Sequence, residues 1–401
     1  MSELIHNEKE RNRSLCAFVQ RMTAGENGRL LFEEYRQLIE TVTPTEAMMA
    51  LDHLLASGMP VPTVKAWTGK IINLFYKSLA AYEWDKPAEG HFLYYLSEEN
   101  RVASEIMSSV KTILKKLPED SEPAYHTALS NLKELIVRLK EYELHYIKKE
   151  NILFPIIEKT FPQYRCLQLM WSFHDDFRRL VKSIEAILSS GIPQKTLLIN
   201  EMGKLFFVVL PIIFREEQIV FPVALKSITA DSWNEMLAQS KETGWCFNVQ
   251  PAYGKAKEAT LAELSGTVNL GTGFLTPEQI MLLLNNVPVD ITFVDEYDEV
   301  RFFSGGKQRI FHRSKAIIGR KVQNCHPPES VGTVNEIIRA FREGRQDHAD
   351  FWIESKDRFI HIRYFALRDE TENYKGTIEV SQDVTDIRAL EGQRRLLNWE
   401  G

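Results

Sequence analysis

The first 230 residues of the chain place apolar side chains at helical spacing. Leu15, Phe18, Val19 and Met22 form the first of these stripes, and stripes that follow one another in this way predict packed amphipathic helices. Residues 1–85 therefore predict an N-terminal helical domain, and residues 86–230 predict a four-helix bundle. The bundle helices are expected near residues 89–117, 122–159, 163–190 and 195–228.

One helix start is predicted by local chemistry as well as by periodicity. Thr43 can accept a hydrogen bond as the capping residue, and Pro44 suits the first helical position because its backbone has no N–H to satisfy. Glu46 can return a hydrogen bond to the backbone of Thr43, which completes a capping box.

From Val289 the period changes from helix to strand. The segments VDITFVD and VRFFSG predict a β-hairpin, and FWIES, DRFIHIRYFALRD and YKGTIEVSQDVTDI predict three more strands with short helices between the two sets. Residues 231–275 predict a linker with a small hairpin that packs Trp245 and Phe247, and a helix restarts at Thr276. The predicted fold class is multidomain, α then α+β, with the last domain over residues 276–401.

A repeat lies within the predicted bundle. Residues 145–155, HYIKKENILFP, return in altered form at residues 212–222 as IIFREEQIVFP, an offset of 67 residues. The offset places Lys149 on Glu216, Glu150 on Glu217 and His145 on Ile212. A repeat of this kind predicts two equivalent helices related by approximate two-fold symmetry.

Helical geometry decides which residues of each copy share a face. Residue i+4 lies about 40° from residue i, so His145 and Lys149 face the same way while Glu150 is turned about 140° aside. A π-bulge would bring Glu150 inward instead. Pro155 and Pro222 are expected to kink or terminate their helices close to this face.

Carboxylates and histidines that project inward from facing helices form di-iron sites in four-helix bundles. The side chains that could contribute to such a site here are His91, His145, Glu150, His174, Glu216 and Glu217.

The two copies resemble the paired His-x-x-x-Glu…Phe-Pro helices of hemerythrin-like (HHE cation-binding) domains. Residues 170–180, MWSFHDDFRRL, resemble the third-helix segment of that family, with His174 at the ligand position. The resemblance implies a non-heme iron centre. Three positions depart from the family pattern, because Lys149 replaces a bridging glutamate, Ile212 replaces a histidine, and Tyr94 replaces the first-helix histidine. The ligand count then supports one metal ion or a weakened pair.

The alternative to metal binding is an ion pair. A protonated lysine has no lone pair to donate to a metal. If the two-fold relation holds, Lys149 and Glu216 face each other where two carboxylates would otherwise bridge metal ions. A buried Lys149–Glu216 pair in place of the metals is therefore predicted.

The C-terminal strands resemble the PAS fold, an antiparallel sheet with helices on one face. IIGRKVQNCHPPES resembles the helix-to-turn segment of that family, and GTIEVSQDVTDI resembles its closing strand. The order of the three parts is similar to a bacterial family that joins the domain of unknown function 438 to a hemerythrin-like and a PAS domain. Cys325 and His326 could ligate heme or iron, whereas the favoured interpretation is a His-Pro turn after a helix.

Composition excludes some function classes. A net charge of −6 argues against nonspecific nucleic-acid binding. The longest apolar run, residues 205–214, is too short to span a bilayer, and the N-terminus lacks a signal-peptide core. Four scattered cysteines without a CxxC pair suit reduced cytosol, so a cytoplasmic location without membrane contact is predicted.

These features predict a sensory or signalling protein without catalysis of its own. The bundle would sense oxygen, nitric oxide, iron or redox state. The PAS domain would bind a small ligand or form a homodimer, and a separate partner protein would give the output. The alternatives are a non-heme iron metalloenzyme or iron-repair protein, and a metal-free scaffold.

Overall fold

The computed structural model describes residues 2–119, 123–161, 165–190, 193–251, 266–306, 309–355 and 357–393. It divides into two compact units, Met1–Ala256 and Lys257–Gly401. The first is helical, and the second contains a five-stranded antiparallel sheet with helices. The predicted order of α followed by α+β is confirmed.

The first unit begins with four helices that precede the bundle: α1 (Ser2–Thr23), α2 (Gly28–Ile39), α3 (Pro44–Ala56) and α4 (Val61–Ala80). The bundle consists of α5 (Phe92–Lys115), α6 (Pro123–Lys140), α7 (Glu143–Lys148), a first π segment (Lys149–Leu153), α8 (Phe154–Thr160), α9 (Leu167–Ser189), α10 (Lys195–Arg215), a second π segment (Glu216–Val220) and α11 (Phe221–Ser227). A final helix, α12 (Ala230–Thr243), follows it.

One hydrophobic core runs through this unit. Phe18 and Phe75 from the first four helices belong to the same buried cluster as Phe92, Tyr146 and Phe221 from the bundle, and each is at most 1 % exposed. The predicted N-terminal helical domain and the bundle therefore share a core, because the apolar faces of the first helices pack against bundle helices.

The segment predicted as a linker is partly structured. Helix α12 occupies its first third and packs against α5, α7 and the first π segment. Trp245, Cys246 and Phe247 are buried in the core of the helical unit, while a hairpin forms separately at residues 268–275. Residues 252–265 of the predicted linker lie outside the described residues.

The second unit contains β1 (Val268–Asn269), β2 (Phe274–Leu275), α13 (Pro277–Asn286), β3 (Asp290–Asp295), β4 (Val300–Phe303), two short 3₁₀ helices (Lys315–Ile317 and Val322–Cys325), α14 (Pro328–Arg342), β5 (His348–Ser355), β6 (Arg358–Arg368), β7 (Tyr374–Asp383) and α15 (Thr385–Arg388). The strand order is β4-β3-β7-β6-β5. Val294 and Val300 on one face of the sheet pack against Ile317 of the first 3₁₀ helix. The predicted hairpin and three further strands are confirmed.

The apolar run at residues 205–214 lies within one continuous helix, Lys195–Ser227. By length and composition this helix could cross a membrane, with a mean hydropathy of 1.9 over its most apolar window, of which 28 % is buried. The core helix of a soluble protein meets the same criteria, and Leu198, Leu205 and Val209 are fully buried in the helical core. The length of the run alone therefore does not exclude membrane contact, which corrects the sequence argument.

The predicted capping box at the start of α3 is present. The N–H of Glu46 donates to Thr43 Oγ1 at 3.3 Å, and the N–H of Thr43 donates to Glu46 Oε2 at 2.9 Å. Arg11 Nε also donates to Glu46 Oε1 at 2.9 Å, which links α1 to this cap.

We expect Thr43→Ala to reduce the free energy of unfolding by about 1 kcal/mol, because it removes the hydroxyl acceptor of a helix cap. Equilibrium urea denaturation followed by circular dichroism measures this loss. Thr112→Ala, at an exposed position inside α5, is the matched control and should change stability far less. Equal effects of the two substitutions would contradict the role assigned to the cap.

Candidate functional site: a buried chain of ion pairs

The first π segment brings two consecutive side chains into the bundle. The N–H of Phe154 donates to the carbonyl of Lys149, five residues earlier, and this wider turn rotates the residues at i+4 and i+5 toward the same side. His145 and Lys149 are fully buried and Glu150 is 3 % exposed. The i+5 residue is thus inward, as a π-bulge predicts.

The second copy of the repeat has the same backbone conformation, a π segment, 67 residues later. The N–H of Phe221 donates to the carbonyl of Glu216, and Glu216 is fully buried. In both copies the proline lies in the first turn of the next α-helix, which continues past it. The expected distortion near Pro155 and Pro222 therefore takes the form of π segments that precede them, and neither proline terminates its helix.

His145 joins two carboxylates. Its Nδ1 lies 2.8 Å from Glu99 Oε2, and its Nε2 lies 2.8 Å from Glu216 Oε2. The other oxygen of Glu99 accepts from Lys148 Nζ at 2.9 Å and from the N–H of Cys246 at 2.9 Å. Glu99 and Lys148 are both fully buried.

Lys149 continues this chain of hydrogen bonds. Its Nζ donates to Glu216 Oε1 and lies 3.1 Å from His174 Nε2, so the predicted Lys149–Glu216 ion pair is confirmed. His174 Nδ1 lies 2.7 Å from Glu150 Oε1, and Arg178 Nη2 donates to Glu150 Oε2 at 2.8 Å. Three carboxylates are thereby matched by three cationic side chains: Glu99 by Lys148, Glu216 by Lys149, and Glu150 by Arg178.

The sequence analysis did not single out Glu99 or Lys148. Glu99 lies on the buried face of α5 with Leu96, Ala103 and Ile106, so an acidic residue within an apolar stripe was the available signal. Lys148 had no comparable signal, because its partners at Glu99 and at the carbonyl of Gly244 are 49 and 96 residues away in sequence.

The two histidines have different hydrogen-bond partners. His174 is satisfied as a neutral ring, since Nδ1–H donates to Glu150 and Nε2 accepts from Lys149. Burial lowers the pKa of His174, and Lys149 and Arg178 lower it further. His145 instead has a carboxylate oxygen at each nitrogen, which requires one proton more than a neutral ring carries.

Lys149, His145 and Glu99 each affect the pKa of another member of this group. Burial lowers the pKa of Lys149 well below its ordinary value. Burial likewise lowers the pKa of His145, and the nearby Lys149 lowers it again, while the hydrogen bond to Glu99 opposes both effects. Burial would raise the pKa of Glu99, but Lys148 and His145 outweigh it and hold that pKa below its usual range. The charge state of each of these groups therefore affects the pKa of its neighbours.

Aromatic rings enclose the chain of ion pairs. Tyr142 stacks on His145 with ring centroids 4.6 Å apart, and Tyr146 stacks on His174 at 4.2 Å. Lys149 Nζ lies 4.5 Å from the centroid of the Tyr146 ring, and Lys148 Nζ lies 4.5 Å from that of Trp245. The rings exclude water and favour the cations through their π faces.

Two predicted ligands lie outside this chain of hydrogen bonds. His91 caps α5, where its Nδ1 accepts from the N–H of Leu93 at 3.1 Å, and its ring packs on Trp233 at 4.8 Å. Glu217 is held at a surface cleft of about 470 Å³, where it accepts from Asn100 and from Lys86, each at 3.0 Å. The structure therefore brings together His145, Glu150, His174 and Glu216, and places His91 and Glu217 elsewhere.

The residues present do not fit a two-metal centre. The described residues contain no group of three or more His, Cys, Asp or Glu side chains arranged to hold a metal ion. The position between Glu216 and His174, where their lone pairs converge, is taken by Lys149 Nζ. Lysine contributes N–H donors there, so it competes with a metal ion for the same acceptors.

The sheet unit contains a second group of polar side chains, of which Thr292 and Glu379 are buried and Tyr364 is half-buried. Thr292, Glu379 and Tyr364 lie opposite one another across β3, β7 and β6. They share the covered face with Val294, two residues along from Thr292. Thr292 is 4 % exposed, and its Oγ1 has no hydrogen-bond partner within the described structure.

Cys325 and His326 lie at the turn between the second 3₁₀ helix and α14. His326 Nδ1 lies 2.8 Å from the carbonyl of Val322, and Cys325 Sγ lies 3.7 Å from the carbonyl of Lys321. Burial lowers the pKa of His326. This placement agrees with a His-Pro turn, and a heme site at these two residues stays a prediction.

Comparisons with known proteins identify two domains. The family model for the hemerythrin HHE cation-binding domain matches residues 91–224, and a PAS domain model matches residues 280–385. A search of curated proteins finds no match. The assignment of residues 1–85 to the domain of unknown function 438 stays a prediction.

Two solved structures match parts of the chain. A C-terminal domain from Streptococcus mutans is 30 % identical, with a TM-score of 0.30, and the match covers 31 % of this chain and 98 % of that one. The PAS domain of a protein from Colwellia psychrerythraea is 17 % identical, with a TM-score of 0.23, and the match covers 27 % and 97 %.

We expect Lys149→Met to lower the free energy of unfolding by about 3–5 kcal/mol, because it leaves the buried Glu216 without its cation. Urea denaturation measures the loss. Arg36→Met is the control, since Arg36 and Glu33 form a pair whose side chains are both more than half exposed, and surface pairs contribute about 0–1 kcal/mol. A loss below that of the control would show that Lys149 is dispensable.

We expect Lys149→Glu to bind iron, because it removes the competing ammonium and adds a carboxylate beside His145, His174 and Glu216. The measurement is elemental analysis after anaerobic loading with ferrous iron and desalting, with wild type alongside. Lys149→Gln is the control, as it removes the positive charge without adding a carboxylate. Iron content in Lys149→Glu no higher than in wild type would show that the Lys149 ammonium is not what excludes iron.

Proposed function

Because the chain contains a hemerythrin HHE cation-binding domain and a PAS domain, we propose that it is a sensory protein in which the PAS domain receives the signal. Both domain types fit a sensory or signalling role. In this proposal the helical bundle acts as a metal-independent module that holds a fixed packing, and a separate partner protein gives the output.

The observation that carries the proposal is the position of Lys149. Its ammonium lies between the acceptors that would otherwise face a metal ion, and every carboxylate of the chain of ion pairs already has a cationic partner. An oxygen, nitric oxide or iron response through a two-metal centre would require these contacts to break. The bundle is therefore better suited to transmit a signal or to stabilise the fold than to detect oxygen, nitric oxide or iron.

The covered face of the PAS sheet carries a row of polar side chains that would orient a small molecule. Thr292, Glu379 and Tyr364 form a row on the covered face. The charge of Glu379 raises the pKa of His326 and that of Arg313 lowers it. Buried polar groups in an otherwise apolar interior give orientation and specificity to a ligand. We infer a polar organic ligand with at least one hydrogen-bond donor, since carboxylate and hydroxyl oxygens line the row.

The edge strand of the PAS sheet suits association with a second copy of the chain. Strand β5 ends the sheet, and it exposes Phe351, Trp352 and Ile353 at 38 %, 65 % and 40 %. An unpaired edge with large apolar side chains favours pairing with another chain. This supports dimerisation through the PAS domain, as the sequence predicted.

Native mass spectrometry of the full-length protein tests the ligand. We expect the folded wild type to carry a small molecule that denaturation releases, and Thr292→Val to reduce its occupancy about five- to tenfold, because one hydrogen bond is lost. Thr333→Val, on the exposed side of α14, is the matched control and should retain the wild-type occupancy. A released molecule whose occupancy is the same in all three proteins would place the ligand outside this row.

A further inference from the structure

Helix α10 carries an apolar stripe that no described residue covers. Phe207 lies at its centre and is 83 % exposed, with Ile199 and Leu210 exposed on the turns before and after it. Phe214 continues the stripe and stacks on the exposed Tyr76 of α4, with ring centroids 4.9 Å apart. Positions 199, 203, 207, 210 and 214 recur every three or four residues, so they share one face of the helix.

Gly203 leaves a gap in this stripe, one turn before Phe207. A Cβ added at Gly203 would meet no heavy atom within 4 Å, so packing within the described chain does not require glycine at this position. Gly203 lies in the interior of a helix, where glycine is less stable than alanine. Close approach of a second backbone is a reason for glycine that the chain by itself does not supply.

The exposed ring and the gap complement each other when two copies of α10 lie antiparallel. A two-fold axis between positions 203 and 207 places Phe207 of each copy over Gly203 of the other. The same axis sets Leu210 opposite Asn200. A closed two-fold contact uses one patch on both subunits, so a second copy of the chain is sufficient to cover the stripe.

The area of the stripe agrees with what a modest dimer requires. A fully exposed aromatic side chain presents about 150–250 Å², so Phe207 at 83 % and Tyr76 at 54 % together expose about 200–350 Å². Ile199 and Leu210, each about two-fifths exposed, raise the total to about 300–500 Å². Two copies then bury about 600–1,000 Å² of apolar side chain, and the polar edges bring the contact to about 1,200 Å², the lower end of specific interfaces.

The charges beside the stripe favour a protein surface over a membrane. Lys204, on the same helix, pairs with Glu201. Arg101, on the neighbouring helix α5, pairs with Glu98 and Glu105. These cations are matched by carboxylates, whereas a helix that lies on an anionic membrane presents an excess of Lys and Arg.

We propose that α10 pairs with α10 of a second copy of this chain, in an antiparallel two-fold contact centred on Phe207 and Gly203. The contact is separate from the edge of the PAS sheet and does not depend on the proposed sensory function.

Sedimentation velocity of the full-length protein across micromolar concentrations tests the proposal. A Trp352→Lys background places a charge on the edge of the PAS sheet and so removes association through that edge. We expect this protein to form a dimer, and Phe207→Ser to raise its dissociation constant at least about tenfold, because the central aromatic side chain is lost. Val137→Ser, at an exposed apolar position of α6, is the matched control and should leave the constant unchanged.

Two results of this measurement would overturn the proposal. One is a monomer at every concentration, and the other is a dimer whose dissociation constant Phe207→Ser leaves unchanged. Neither result would bear on association through the PAS sheet, which the same measurement without Trp352→Lys reports.

Gly203→Gln separates the contact from the fold of the monomer. The new side chain fills the gap that receives Phe207, so we expect the dimer to weaken about tenfold. The melting temperature of the dilute monomer should not fall, because the side chain enters open space and glutamine favours a helix more than glycine does. An unchanged dissociation constant would contradict the antiparallel pairing.

Cross-linking identifies what lies on the stripe. A photoreactive benzoylphenylalanine in place of Phe207, in a mixture of isotopically light and heavy protein, should link position 207 of one copy to residues 199–207 of the other, as mixed-isotope peptides in mass spectrometry. Links confined to one isotopic form would mean that another part of the same chain covers the stripe. Binding to phospholipid vesicles that Phe207→Ser abolishes would assign the stripe to a membrane. Either result would overturn the proposal.

Discussion

The helical unit depends on how a fully buried carboxylate is compensated. Glu216 has no access to water, and an ionised carboxylate in such a place requires a cation and hydrogen bonds at both oxygens. Lys149 supplies the cation and His145 occupies the second oxygen. His145 and His174 in turn connect to Glu99 and Glu150, which require cations of their own. The need to compensate buried carboxylates therefore links Glu216, Glu99 and Glu150 in one chain of hydrogen bonds, which ends at the partly exposed Arg178.

The two copies of the repeat have equivalent backbones but different side chains at the buried site. The two π segments begin at Lys149 and Glu216, and each is followed by Phe-Pro. Equivalent backbones project these two side chains toward each other. Two carboxylates in these places would repel each other and require an external cation. A lysine in one of them provides the cation within the chain, so symmetry of the fold is retained while the chemistry of the site changes.

Local patterns predicted much of this arrangement. The capping box at Thr43 follows from spacing over a short stretch, and the Lys149–Glu216 pair follows from the symmetry of the repeat, although its partners are 67 residues apart. Glu99, Lys148 and the segment around Cys246 could not be placed in the same way, because their contacts join residues 46 to 147 positions apart that no repeat relates. His91 was included among the possible ligands as a histidine near the start of the first predicted bundle helix, whereas its ring caps that helix. The shared core of the first helices and the bundle likewise depends on tertiary packing.

We expect the chain of ion pairs to contribute more to the register of the helices than to net stability. Replacing a buried ion pair by apolar residues of equal volume is often neutral or stabilising, so stability alone does not explain three of them in series. Directional hydrogen bonds, by contrast, are satisfied in only one alignment of α5, α7, α9 and α10. Arg215 and Glu216 are consecutive, and both are buried in different surroundings. A slide or rotation of this helix would therefore disrupt both the chain of ion pairs and the packing of Arg215 against Phe173. Because the second π segment packs against α3, the same movement would disturb the contact between the bundle and the first helices.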